Sequence, residues 1–180
     1  MFDWLREIFA AIHEHLTPFV IVHVYQNAAV LRFGKYERTL GPGFHWKLPF
    51  AEDVIPENIY HTTLALEHQT ITTKDDKTVV VGGIVRYCIS DIEPFITEIG
   101  NQHDLLRDTS MGAVLKQVRQ IELRTLLDEP PENKIASDIR RQVKPYGMEI
   151  DSFTFTDIGQ IRTLRLITHT NAPPAGHFYE

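Results

Sequence analysis

The sequence predicts an α+β fold: a twisted antiparallel sheet with two packed helices, preceded by an amphipathic N-terminal helix. Three observations carry that expectation. Strand-like segments separated by short turns fill residues 19 to 89, a helical period takes over from about His103 to Val143, and a last strand-like stretch holds Ile150, Phe153 and Phe155. Strands in a run, then helices in a run, is the α+β order and lacks the βαβ alternation of a doubly wound sheet. A length of 180 residues suits one domain or two small ones. Its 43% apolar content is ordinary for a chain of this size, which buries roughly 70% of its unfolded surface. The expected division is 1–17 for the helix, 18–158 for the domain and 159–180 for a short tail without a coiled coil.

Residues Phe2 to Leu16 read as a helix. At 100° per residue, Met1, Phe2, Leu5, Ile8, Phe9, Ile12 and Leu16 fall within an arc of about 120°. Trp4 lies just outside the arc, and Asp3, Arg6, Glu7, His13 and Glu14 lie on the other side. Thr17-Pro18 ends the helix, because the residue before a proline avoids the α region. Such a face has three destinations: the protein's own core, a neighbouring protein, or a membrane interface. Three acids against one base disfavour anionic lipid unless His13 and His15 protonate.

Phe19 to Tyr25 and Ala28 to Phe33 look like two strands joined by a tight Gln26-Asn27 turn. Gly34-Lys35 and Gly41-Pro42-Gly43 punctuate the exit, and Pro42 before Gly43 suits a type II turn with glycine at positive φ. Phe44 to Leu48 is a further extended piece, and Pro49 and Pro56 bracket an irregular link. Ile59 to Thr73 and Thr78 to Ile89 read as strands joined by the polar connection Lys74 to Lys77. Gly82-Gly83 inside the second marks a bulge or a close backbone approach.

Leu106, Met111, Val114, Leu115, Val118 and Ile121 mark one face of a helix from about His103. Leu126-Leu127 follow, and Asp128-Glu129-Pro130-Pro131 breaks the pattern. Prolines near a first turn suit a new helix, which carries Ile135, Ile139 and Val143 at i, i+4 and i+8 and ends at Tyr146-Gly147. Beyond Ile158, residues Ile161, Leu164 and Ile167 offer a helix start, whereas the segment around Pro173 and Pro174 reads as loop.

A formal net charge of −6 sets a general nucleic-acid binder behind other classes. No stretch reaches the roughly 18 to 20 apolar residues of a spanning helix, and Asp3, Arg6 and Glu7 interrupt any secretory signal. The lone Cys88 excludes an internal disulfide and reads as a buried, inert thiol rather than a nucleophile. His13 and His15 project about 200° apart on a helix, so they share no metal easily. Phosphate loops and the G-x-S-x-G elbow are absent. Asp75-Asp76 and Asp128-Glu129 are paired acids that read as solvated turn residues. Arg107, Lys116, Arg119 and Arg124, interleaved with Asp108 and Glu122, read as a solvated or subunit-contact face. The expectation is no catalytic, cofactor or metal site.

Five segments resemble, in order, the SPFH or band 7 domain of stomatins, prohibitins, flotillins and the bacterial protease-modulating pair. They are Val24 to Lys35 (VYQNAAVLRFGK), Leu40 to Phe50 (LGPGFHWKLPF), Thr72 to Val81 (TTKDDKTVVV), the stretch from Met111 (MGAVL) to Glu129 (LLDE), and Tyr146 to Phe153 (YGMEIDSF). The most specific part is Arg32, Phe33, Gly34 and Lys35 followed by Gly41, Pro42, Gly43, His45, Pro49 and Phe50. Phe44, Trp46, Leu48 and Phe50 alternate; in an isolated domain they read as core, and in a membrane-apposed one Trp46 reaches headgroup level.

The resemblance implies a non-enzymatic scaffold that oligomerises on a membrane surface and organises or modulates membrane partners such as a membrane protease. It implies membrane association, which the lack of a spanning apolar stretch makes peripheral or interfacial; the net charge and the missing motifs add the expectation of no cofactor, no nucleic acid and no small-molecule substrate. The N-terminal helix occupies the position of the family's anchor, which makes Phe2, Trp4, Leu5, Ile8, Phe9, Ile12 and Leu16 the expected membrane contacts. Residues 159–180 show no sustained heptads, where the family usually continues into a long charged coiled coil. The rival expectation is a soluble protein-binding module that co-assembles with longer SPFH proteins or docks its N-terminal helix on a partner.

Overall fold

The computed structural model describes residues 18–98 and 100–161. The expected N-terminal helix and its seven anchor residues, Phe2, Trp4, Leu5, Ile8, Phe9, Ile12 and Leu16, lie outside them, as does the tail from residue 162. The elements in order are β1 (Phe19–Val22), β2 (Gln26–Arg32), β3 (Lys35–Leu40), β4 (Gly43–Trp46), β5 (Glu52–Asn58), β6 (Thr62–Thr72) and β7 (Thr78–Ile89). Four helices follow: α1 (Ile92–Thr97), α2 (Gln102–Val118), α3 (Leu123–Asp128) and α4 (Glu132–Val143). A 3-10 turn at Lys144–Tyr146 leads into β8 (Met148–Gln160). The strands form three antiparallel sheets ordered β1-β4, β3-β2-β5 and β6-β7-β8.

The first half departs from the sequence expectation in its pairing. β1 pairs with β4, not with β2. Gln26 and Asn27 lie inside β2 opposite Asn58 and Glu57, and the chain reverses at His23–Tyr25, where the Gln26 N–H donates to the His23 carbonyl at 2.9 Å. β3 emerges where only turn punctuation was expected, because Phe33-Gly34 forms a two-residue reversal that returns the chain along β2. β5 replaces the expected irregular link despite Pro56. Its place at the edge of its sheet explains this, since a proline lacking an N–H is tolerated where one side of the strand is unpaired.

The second half follows the sequence in β6, β7, α4 and β8 but carries four helices where two were expected: α1 was not anticipated, and the helix expected from about His103 to Leu127 breaks after Val118 into α2 and α3. β6 and β7 are long β-branched runs whose hairpin connection is clipped in place. Thr73 Oγ1 donates to Asp75 Oδ1 at 2.7 Å, and that carboxylate also accepts the Leu123 N–H that opens α3, at 3.0 Å. Asp75 is the exposed turn acid expected, and it also caps the start of α3; these hydrogen bonds hold its carboxyl below the usual range. The Gly82-Gly83 expectation holds. The β7–β8 register shifts there, and a Cβ on Gly83 would lie 2.7 Å from the Phe153 ring.

Asp91 and Asn101 open α1 and α2 by accepting backbone N–H groups with their side chains. The main core fills the space between the β6-β7-β8 sheet and the helices, with Val79, Val81, Val85, Ile150 and Phe153 facing Leu106, Val114, Val118, Ile135, Ile139 and Val143. Leu115, expected on that face, is exposed. Nine residues at 100° each place it about 180° from Leu106. A smaller core of Val22, Ala28, Val30 and Leu40 lies under β1 and β2.

α4 also covers the outer edge of β8. The Arg140 guanidinium donates to the Ile150 carbonyl at 3.0 and 2.7 Å, and Glu132 accepts the Phe155 N–H at 2.9 Å. Backbone groups that would otherwise invite a further strand are thereby occupied.

Candidate functional site

The first half of the chain presents an uncovered apolar end. In the β2–β3 reversal, Phe33 and Gly34 adopt φ of 50° and 77°, the left-handed pair of a type I′ hairpin. In the β4–β5 connection, Phe50 adopts φ of 68°. A bulky side chain at positive φ costs about 1 to 3 kcal/mol and persists where its surroundings hold it. The two loops touch, since the Phe33 N–H donates to the Ala51 carbonyl at 2.9 Å. Both rings face solvent, Phe33 at 80% and Phe50 at 78% relative exposure.

A buried carboxylate joins these loops. Glu52, at the start of β5, accepts from Arg32 at 2.7 Å, from both Arg38 terminal nitrogens at 3.0 and 3.1 Å, and from the Leu48 N–H at 3.0 Å. The Arg38 fork, then the Leu48 N–H, lower its pKa from the usual 4.5 to about 2. Arg32 also pairs with Glu37 at 2.7 Å. One anion thus ties β2, β3 and the β4–β5 loop together and sets the spacing of Phe33 and Phe50.

The β1–β4 ribbon continues the apolar surface. Phe19 lies opposite Trp46 and Ile21 opposite Phe44, so all four side chains share one face. Phe19 stacks on Phe44 at 5.6 Å between centroids, and Phe44 meets Trp46 edge-on at 5.8 Å. Trp46 is nevertheless 68% exposed. The core reading of Phe44, Trp46, Leu48 and Phe50 is therefore corrected: all four are exposed. The ribbon's inner residues Val20 and Val22 pack on the small core, and no other described element covers its outer face.

The motif residues divide between the two ends of the small sheets. Arg32, Phe33, Gly34, Lys35, Pro49 and Phe50 gather at the aromatic end. Gly41, Pro42 and Gly43 form the bend at the far end, where β3 has led away and β4 starts back. His45 Nε2 bonds the Gly41 carbonyl at 2.8 Å and braces that bend. Gly43 has the expected positive φ, at 138°, but as the first residue of β4. Glu52 escaped sequence reasoning. The one signal for it was an acid shortly after the apolar Leu48-Pro49-Phe50, with two arginines upstream still lacking a counter-charge.

The remaining candidates carry little chemistry. Burial, then Glu149 and Asp151, push the Cys88 thiol up and disfavour the thiolate. Among the described residues, no three His, Cys, Asp or Glu side chains are grouped to hold a metal ion, and no helix is long and apolar enough to cross a membrane. On the helices, Arg107, Lys116 and Arg124 pair with Asp104, Asp138 and Asp128.

The chain belongs to the SPFH domain / Band 7 family, whose profile matches residues 20–162. It is 27% identical over 128 residues to protein HflK of Vibrio cholerae, covering 71% of this chain and 30% of the relative. It is 26% identical over 136 residues to the modulator of FtsH protease HflK of Escherichia coli K12, covering 73% and 32%. A stomatin homolog of Pyrococcus horikoshii is 23% identical over 142 residues, covering 77% and 53%. The chain thus matches about a third of the length of the HflK relatives.

Proposed function

We propose that the chain is a membrane-associated scaffold without catalytic activity of its own, which oligomerises on a membrane surface and modulates partners held there, such as a membrane protease. The observation that carries this reading is the uncovered aromatic end of the small sheets. A soluble surface rarely keeps so many large apolar side chains together without a partner. Pro18, the first described residue, lies at this end, where its carbonyl accepts the Lys47 N–H at 2.9 Å beside Trp46. The proposed anchor face (Phe2, Trp4, Leu5, Ile8, Phe9, Ile12 and Leu16) and the aromatic end then meet the same bilayer. Full burial of a large apolar side chain yields about 1.5 to 3 kcal/mol, so two modest contacts suffice, and assembly multiplies them by avidity. A relative named as a modulator of a protease supports the choice of partner class.

Flotation with liposomes tests the reading. The full chain floats, Ile8→Glu/Phe9→Glu and Phe33→Glu/Phe50→Glu each float less, and the combined variant stays in the dense fraction. Phe33 and Phe50 are exposed, so their replacement leaves the thermal midpoint in place. A full chain that stays in the dense fraction contradicts the proposal and favours the soluble, partner-docking module.

A further inference from the structure

A cleft of about 250 Å³ opens where the small sheets meet the second half of the domain, lined by Glu57, Tyr60, Tyr87, Phe95 and His103 among others. Glu57 is only partly exposed, yet no described residue gives its carboxylate a hydrogen bond or an ion pair. Around it the walls are aromatic. Tyr87 is buried and shares a hydrogen bond of 3.2 Å with His103 Nδ1, and Tyr60 continues outward to Tyr25 at 5.9 Å between ring centroids. Among the described residues, no lysine or arginine lines the cleft. A partly exposed carboxylate thus stands beside aromatic rings with no cation among the described residues to pair with it.

We infer that this cleft binds an arginine side chain of a protein partner. A guanidinium suits both halves of the site, because its flat face stacks on the exposed Tyr60 while its N–H fork donates to the Glu57 carboxylate. An ammonium lacks the flat face, and a quaternary ammonium has no proton to donate. β5 separates Glu57 from the aromatic end at Glu52, a span of roughly 17 Å. A lipid headgroup at that end does not reach the cleft. Choosing a protein over a lipid thus rests on the membrane reading, whereas the cation site itself does not.

Ligand-observed saturation-transfer NMR on the full chain tests the inference, with N-acetyl-arginine methylamide as the probe and the lysine, norleucine and phosphocholine analogues beside it. Saturable transfer to the arginine probe is expected, with affinity falling about tenfold or more in Glu57→Gln and in Tyr60→Leu. Neither variant removes an intramolecular hydrogen bond of the cleft, so unchanged thermal midpoints are expected. Absence of saturable transfer, equal binding of norleucine, or an unchanged affinity in Glu57→Gln overturns the site. Tighter binding of phosphocholine than of arginine overturns the assignment to a protein. Failure of flotation leaves these readouts unchanged and strikes the membrane reading alone.

Discussion

Glu52 is the residue on which the geometry of the aromatic end depends. Its carboxyl is held at about 2 in the folded chain against a usual 4.5. Depression on folding means the stabilisation is fully present above about pH 4.5 and is lost as pH falls towards 2. Glu52→Gln is therefore expected to cost about 2 to 3 kcal/mol at neutral pH, with the gap to the parent closing between pH 4.5 and 2. Chemical denaturation at several pH values reads this directly, and a gap independent of pH contradicts the ionic account. Gly147 is a second fixed point. It sits at φ 73°, the Ser90 and Asp91 N–H groups donate to its carbonyl, and a Cβ there would lie 2.0 Å from the Asp91 carbonyl oxygen. Gly147→Ala is expected to cost about 3 kcal/mol, seen as a thermal midpoint lower by roughly 6 to 12 °C. An unshifted midpoint would show that the 90–91 backbone yields freely. Of these two positions only Gly147 was visible in the sequence, as a helix stop. The partners of Glu52 lie 14 and 20 residues upstream and come together only through strand register.

At the level of elements, legibility follows the range of the interactions that define each one. β6, β7 and α4 were readable because each carries its own period and its own stop signals within a dozen residues. Their core side chains, Val79, Val81, Ile135, Ile139 and Val143, are buried as the pattern requires. The β1–β4 pairing was not readable, because two four-residue strands separated by the whole β2–β3 hairpin leave no local trace of each other. β5 was hidden by Pro56, whose penalty disappears on an edge strand. Leu115 shows the same limit within a helix: its residue type matched the core face, but its angular position did not. The contrast is measurable. Ile139→Ala, at a fully buried site, is expected to cost about 2 to 5 kcal/mol, whereas Leu115→Ala stays within about 0.5 kcal/mol. Comparable losses in urea denaturation would mean that Leu115 is covered in solution, pointing to an interface along α2.

For the whole molecule, the sequence pattern placed the membrane contact in the N-terminal helix, while the described structure puts a second apolar surface on the folded domain. Phe33 and Phe50 project from adjoining loops, the ribbon of Phe19, Ile21, Phe44 and Trp46 lies beside them, and Glu57 with its aromatic cleft opens at the other end of β5. On the proposed membrane reading, this polarity would turn the aromatic end towards lipid and the cleft towards partners. The most direct test is the depth of Trp46 in a bilayer. Trp4→Phe leaves Trp46 as the single tryptophan, and lipids brominated along the acyl chain report its contact. The account predicts a blue shift of Trp46 emission and quenching by bromines near the headgroup when the chain binds vesicles. A vesicle-bound chain whose Trp46 keeps its aqueous emission and escapes quenching would contradict it, leaving the domain held off the membrane by its N-terminal segment alone.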